Sequence, residues 1–294
     1  MKTDQASSTA RLIAAGTLML AGDPRTAGLV APEAPALCER LLSGSLGDRL
    51  LAKSTSFAPT RRLWRMAERF VLPGVTAHFW HRKRWIERRV RQSLAEGFQR
   101  VVIIGAGFDT LALRLAPQFP GVDWIEIDHP ATQRAKQHAL GCEMDGEPAA
   151  NLRFIAADLA AEALPTKGFD DGRATLVIAE GLLMYLAPAA VEGLFRALAA
   201  LRAPTIRILF SFMSKWPDGS TGFRPRSPWV ERWLAWRGEP FTWFIEPERI
   251  GTFLQPFGFA PLEVASTQDL ADEAGSPCRA LAGENLVLCQ AKSA

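Results

Sequence analysis

The chain is poor in the residues that most often reveal a protein's chemistry. Its 294 residues include 4 histidines, 4 cysteines and a single tyrosine beside 17 phenylalanines. Cys38, Cys142, Cys278 and Cys289 show neither disulfide-framework nor metal-ligand spacing, and the histidines form no cluster, so no metal is expected. Nothing in the cysteine usage calls for an oxidising compartment, and the cytoplasm follows by default. A formal net charge of +3 is too mild to imply a nucleic-acid partner. No apolar run approaches the length of a membrane span. The stretch LIAAGTLMLAG (12–22) is too short for one, and no persuasive cleavage site marks it as a secretion signal. The pattern carries no signal of oligomeric state.

What is present begins at residues 101–109, VVIIGAGFD. Four apolar residues without alternation suit a parallel strand covered on both faces. Gly105 and Gly107 then allow a tight turn and a close approach of backbone to a ligand. Asp109 or Thr110 can cap a helix that carries Leu111, Leu113 and Leu115 inward. Residues 122–128, VDWIEID, form a second strand whose Asp128 lies 21 residues after Gly107. That is where a neighbouring strand of a doubly wound sheet offers a carboxylate to ribose hydroxyls. Thr110 holds the place of the third glycine of the dinucleotide fingerprint, so a nucleoside without a pyrophosphate fits better, and S-adenosylmethionine is the common one.

Two further strand ends complete the pattern. LRFIAADL (152–159) places Asp158 to accept from an adenine amino group and Leu159 to pack on its ring. TLVIAEGLLMYL (175–186) runs straight into Glu180. A carboxylate beside a buried apolar run needs a partner. A ligand ammonium or a local arginine would serve.

GAGFDT, EIDHP, AADL and AEGLLMYL, in this order and spacing, resemble the leucine carboxyl methyltransferase-like group of class I S-adenosylmethionine-dependent methyltransferases. That group includes bacterial O-methyltransferases of polyketide and other secondary metabolism. The likeness spans roughly residues 5–213 and continues more faintly to the end. It implies S-adenosylmethionine as cofactor, with Gly105 and Gly107 beside its methionine part, Asp128 on the ribose, Asp158 and Leu159 at the adenine, and Glu180 near the amino group. It also implies that Arg82, in HFWHRKRWIE, pairs with the cofactor carboxylate, with Arg11 the nearest candidate for a second basic residue. No Asn/Asp-Pro-Pro-aromatic motif of base-amino methyltransferases is present, which argues further against a DNA substrate.

The expected fold is α/β: a Rossmann-like class I methyltransferase with a mostly parallel seven-stranded sheet. Residues 1–95, broken at Pro24, Pro32, Pro35, Pro59 and Pro73, read as a helical cap, and residues 96–294 as the cofactor-binding domain. Strands are expected near 101–105, 122–127, 152–156, 175–179 and 205–212, with helices near 110–116, 130–141 and 188–202 between them. FAPLEVAS (259–266) and ENLVLCQA (284–291) suit a terminal strand pair, one of them antiparallel. Residues 214–243 interrupt this scheme as a lid insertion before a helix near 247–256. Trp229, Trp233 and Trp236 share one helical face there, to fix the insertion to the core or to meet an apolar substrate. Of the basic run Arg82, Lys83, Arg84, Arg88, Arg89 and Arg91, Arg82 alone is expected to turn inward.

Methyl transfer from a sulfonium is an in-line displacement in which the cofactor carries the reactivity. Tyr185 and Glu180 are the candidate catalytic residues, Tyr185 by orienting the substrate. A carboxyl of a small molecule is the favoured acceptor, since it needs no base. A phenol or alcohol is the alternative and would need one; His78 and His81 are the candidates, while His129 belongs with the adenosine end. Glu126 is the fallback for the ribose. Two other classes stay open: an NAD-binding oxidoreductase, disfavoured by Thr110, Glu180 and the lack of a Tyr-x-x-x-Lys pair after Tyr185, and a non-catalytic cofactor-binding protein.

Overall fold

The apolar runs form the centre of one sheet. In a computed structural model describing residues 6–142, 149–273 and 281–291, the strands are β1 (Arg100–Ile104), β2 (Asp123–Asp128), β3 (Leu152–Ala156), β4 (Thr175–Ala179), β5 (Ile206–Ser214), β6 (Phe244–Ile245), β7 (Phe259–Ser266) and β8 (Glu284–Ala291). Their order is β3-β2-β1-β4-β5-β8-β7, with β6 pairing separately on β5. Strands β1 to β6 pair in parallel, while β8 runs antiparallel to both β5 and β7. The sheet thus has the expected reversed strand and one short strand more than expected. Every residue of β1 and β4 is buried, as a central parallel strand requires. Each fully buried Val, Ile or Leu there contributes about 1.5–3 kcal/mol.

Two cores lie on the two faces of the sheet, one around Val102, Val177 and Phe195, the other around Val101, Leu115 and Ile178. On these faces lie α6 (Leu111–Leu115), α7 (Pro130–Leu140), α8 (Pro188–Ala199) and α10 (Ile250–Leu254). The expected helices 110–116 and 247–256 are shorter because Pro117 and Pro256 pass into 3-10 turns. An unexpected helix, α11 (Thr267–Glu273), joins β7 to β8. In the insertion, β5 continues to Ser214 and β6 returns to its edge, leaving α9 (Pro228–Arg237) between them.

Residues 6–95 carry five helices: α1 (Ser8–Ala21), α2 (Ala34–Leu41), α3 (Leu46–Ser56), α4 (Ala58–Val71) and α5 (Val75–Ala95). Pro35 and Pro59 begin helices rather than break them. Ala14, Leu18 and Leu41 share a core with Phe108 and Leu140, which ties α1 and α2 to the turn after β1 and to α7. Helix α4 is different, for it buries no residue at all. Cys278 lies outside the described residues.

Candidate active site

A cavity of about 730 Å³ opens above the carboxyl ends of β1 to β4 and beneath α1, α4 and α9. In an open α/β sheet this is where ligands bind. Gly105 (φ 70°) and Gly107 (φ 52°) occupy left-handed backbone there. A Cβ on Gly105 would meet the Leu182 side chain at 2.9 Å, and one on Gly107 would meet Ala10 at 3.1 Å. Asp128 closes this turn: one oxygen accepts from the Gly107 amide, the other from the His129 amide at 2.6 Å. Burial raises the Asp128 carboxyl above its ordinary range despite these bonds. Asp158, Leu159 and His129 line the same end, with His129 Nε2 3.9 Å from Asp158 Oδ2.

Glu126 does not line the cavity. It is fully buried with Lys136 Nζ 2.6 Å away, and burial pushes its carboxyl up to about 7. The fallback for the ribose is therefore withdrawn. Thr110, at the third-glycine position, is buried, and its hydroxyl accepts from Arg114 Nε at 3.3 Å.

At the other end of the glycine turn, α5 delivers Arg82 into a buried ion network. Its Nη1 donates to both oxygens of Glu284 at 2.6 and 2.8 Å, and its Nε donates to Glu180 at 2.9 Å. Lys83 Nζ lies 3.2 Å from Glu180 and 3.1 Å from Asp109, and His78 Nε2 lies 2.6 Å from Glu284. Burial alone would raise the Glu284 carboxyl, but Arg82 and His78 outweigh it and hold it at about 2. Lys83 and Arg82 hold their protons beyond their ordinary ranges, their carboxylate partners outweighing burial. Glu180 is thus partnered by Arg82 and Lys83. Lys83 turns inward as well as Arg82, whereas Arg84, Arg88 and Arg91 are exposed.

Glu284 was not singled out from the sequence, although the signal was the one that marked Glu180: an acid beside a buried apolar strand. Asp109 has two parts, capping α6 through the Thr110 and Leu111 amides and pairing with Lys83.

The rest of the cavity is apolar and aromatic. Tyr185 lies 5.4 Å from Phe241 by ring centroids, and Phe223 and Trp233 stand nearby in the wall. Burial raises the Tyr185 hydroxyl, which is in hydrogen-bonding contact with Thr9. Thr9 Oγ1 donates to Glu239 Oε2 at 2.5 Å, and the Ser8 amide donates to Glu239 Oε1 at 3.1 Å. Thr9 and Glu239 also line the cavity and were not found in the sequence, since they lie 230 residues apart.

Three expectations are corrected. His78 and His81 do not line the cavity, and His78 serves Glu284 instead. Arg11 does not reach it either, pairing with Asp48 at 2.9 Å. The tryptophan face does not fix the insertion to the core: Trp229 and Trp236 are 72% and 68% exposed, and Leu234 is the residue of α9 that is buried. Trp229 and Trp233 border the cavity, as do Trp64 and Val71 of α4.

Among the described residues no group of three or more His, Cys, Asp or Glu could hold a metal ion, and no helix is long and apolar enough to cross a membrane.

The family profile described as "Leucine carboxyl methyltransferase" matches residues 25–199. A Mycolicibacterium paratuberculosis protein, provisionally named an S-adenosyl-L-methionine-dependent methyltransferase, is 33% identical over 215 residues, 69% of this chain and 67% of its own. A similarly named Mycobacterium avium protein is 32% identical over the same shares. Among solved structures, human N-acetylserotonin methyltransferase in complex with S-adenosylmethionine overlaps 67% of this chain and 48% of its own, with TM-score 0.42 and 16% identity. Magnesium protoporphyrin IX methyltransferase of Synechocystis with bound S-adenosylhomocysteine overlaps 74% and 87%, with TM-score 0.44 and 16% identity. The strand order, rather than these overlaps, carries the fold.

Proposed function

Because the chain belongs to the leucine carboxyl methyltransferase family, and is accordingly an S-adenosylmethionine-dependent methyltransferase, we propose that it methylates an oxygen of a small, largely apolar molecule. The observation that carries this reading is the single cavity that joins the strand-end carboxylates to the aromatic wall around Tyr185.

The residues at the glycine turn fit the cofactor. Arg82 and Lys83 interleave with Glu180, Glu284 and Asp109, and such an alternating set can take in a zwitterion by exchanging partners without changing net charge. Its carboxylate would be held by Arg82 or Lys83 and its ammonium by Glu180. The ribose would sit on Asp128, the adenine between Asp158 and Leu159, and the methionine part beside Gly105 and Gly107. When bound, S-adenosylmethionine supplies a methyl group already activated on a sulfonium. The protein's remaining task is to align the acceptor and keep water away. Phe223, Phe241 and Trp233 exclude water, and Tyr185 orients the acceptor through its hydroxyl. The exposed apolar residues bordering the opening, Trp229 among them, suit a substrate with an apolar body.

The carboxyl acceptor implied by the family's description is a second reading, and that description is its support. The test is methyl transfer to a panel of apolar phenols, alcohols, carboxylic acids and amines, followed as S-adenosylhomocysteine formed and located on the product by mass spectrometry. Methylated oxygen is expected. Methyl found only on nitrogen or carbon would overturn the reading.

A further inference from the structure

Resting on the oxygen-methylation reading, we propose that the acceptor is a hydroxyl group, whose proton leaves through Thr9 to Glu239. The charges lining the cavity are the first argument. Among the described residues its only arginine or lysine side chains are Arg82 and Lys83, and both are already engaged by Glu180, Glu284 and Asp109. Away from that network, and from Asp128, His129 and Asp158 at the adenosine end, the ionisable groups lining the cavity are Glu239, Glu68 and Tyr185, none of them a cation. A carboxylate acceptor would be stripped of water with no cation of the protein to receive it and two carboxylates near it, a costly burial. An uncharged hydroxyl meets no such penalty.

The second argument is connectivity. Thr9 Oγ1 spends its own hydrogen on Glu239 at 2.5 Å, so it accepts from Tyr185 and keeps one lone pair to accept another hydrogen. Glu239 is buried, and the Ser8 amide at the start of α1 holds its second oxygen at 3.1 Å. A substrate hydroxyl beside Tyr185 would therefore find Thr9 as acceptor. Tyr185, made less acidic by burial, keeps its proton, donates that hydrogen bond to Thr9 and offers its own oxygen beside the substrate hydroxyl.

As the acceptor oxygen bonds to the methyl carbon, the carbon–sulfur bond breaks and its electron pair stays on sulfur. The hydroxyl proton passes to Thr9 Oγ1 while the Thr9 proton passes to Glu239 Oε2. Glu239 is left neutral and returns the proton to solvent after the product departs. No histidine takes part.

The experiment uses the full chain saturated with sinefungin, whose amine places a positive charge where the sulfonium would be. Calorimetry then compares 2-naphthol with 2-naphthoate, and emission from bound 2-naphthol reports whether its hydroxyl touches a proton acceptor. The wild type should bind 2-naphthol at least ten-fold more tightly than 2-naphthoate and show naphtholate emission. Glu239→Gln should narrow the preference by admitting 2-naphthoate, and should lose that emission. Thr9→Val should lose the emission and Thr9→Ser should restore it, which a purely structural role would not produce. Tighter binding of 2-naphthoate by the wild type, binding of neither probe, or emission untouched in Thr9→Val would each overturn the proposal. Failure of sinefungin itself to bind would instead overturn the methyl-transfer reading, and this inference with it.

Discussion

Replacing Glu284 by glutamine keeps the shape of the side chain and removes the charge at the centre of the buried network. Glu284 is fully buried and holds Arg82 and His78 together. A carboxyl held at about 2 in the folded chain against an ordinary 4.5 corresponds to about 3 kcal/mol of stability at neutral pH. An independent estimate agrees, since removing one partner of a buried ion pair costs about 3–5 kcal/mol. The folded value lies below the ordinary one, so this contribution is complete above about pH 4.5 and is lost as the pH falls toward 2. Urea unfolding of the wild type and Glu284→Gln should therefore differ by about 3 kcal/mol at pH 7 with similar slopes. The difference should shrink below pH 4.5, for as long as both proteins stay folded. A difference under about 1 kcal/mol at pH 7, or one that grows on acidification, would refute the reasoning.

Asp128→Ala removes the acceptor proposed for the ribose and also releases the Gly107 amide. S-adenosylhomocysteine affinity measured by calorimetry should fall by about 1–3 kcal/mol in a folded variant; an unchanged affinity would remove Asp128 from the site. His78→Ala should destabilise the fold by about 1–3 kcal/mol through the bond lost to Glu284. Its turnover at a temperature where it stays folded should remain within a few-fold of wild type. A loss of about 10²- to 10⁴-fold there would restore a histidine as general base.

The parts of the fold and site legible in the sequence were those written in short stretches. Four strand stretches lead into Gly105, Asp128, Asp158 and Glu180, and a strand with its following turn is a local pattern. The same stretches lie side by side at the cavity. What escaped was set by long-range contact. Glu239 reaches Ser8 across 231 residues, and Arg82 reaches Glu284 across 202, so no window of sequence contains either pair. The helical face of Trp229, Trp233 and Trp236 was legible, but not its exposure, because periodicity does not say what an element packs against. Strand β6 was missed because two residues carry no periodicity. The histidines misled for a related reason: His78 does share the face of Arg82, one turn away, but the shared partner that takes up both side chains is Glu284, which lies 206 residues from His78.

The central claim is that the zwitterionic end of the cofactor enters by exchanging with the buried pairs of Arg82. A crystal structure of the complex with S-adenosylhomocysteine tests it most directly. The ligand's carboxylate should lie on Arg82 or Lys83, its ammonium on Glu180 and its ribose on Asp128, with the present 2.8 Å contact between Arg82 and Glu180 broken or lengthened. A complex in which Arg82 keeps both Glu180 and Glu284 unchanged, and the amino-acid end of the ligand lies elsewhere, would contradict it.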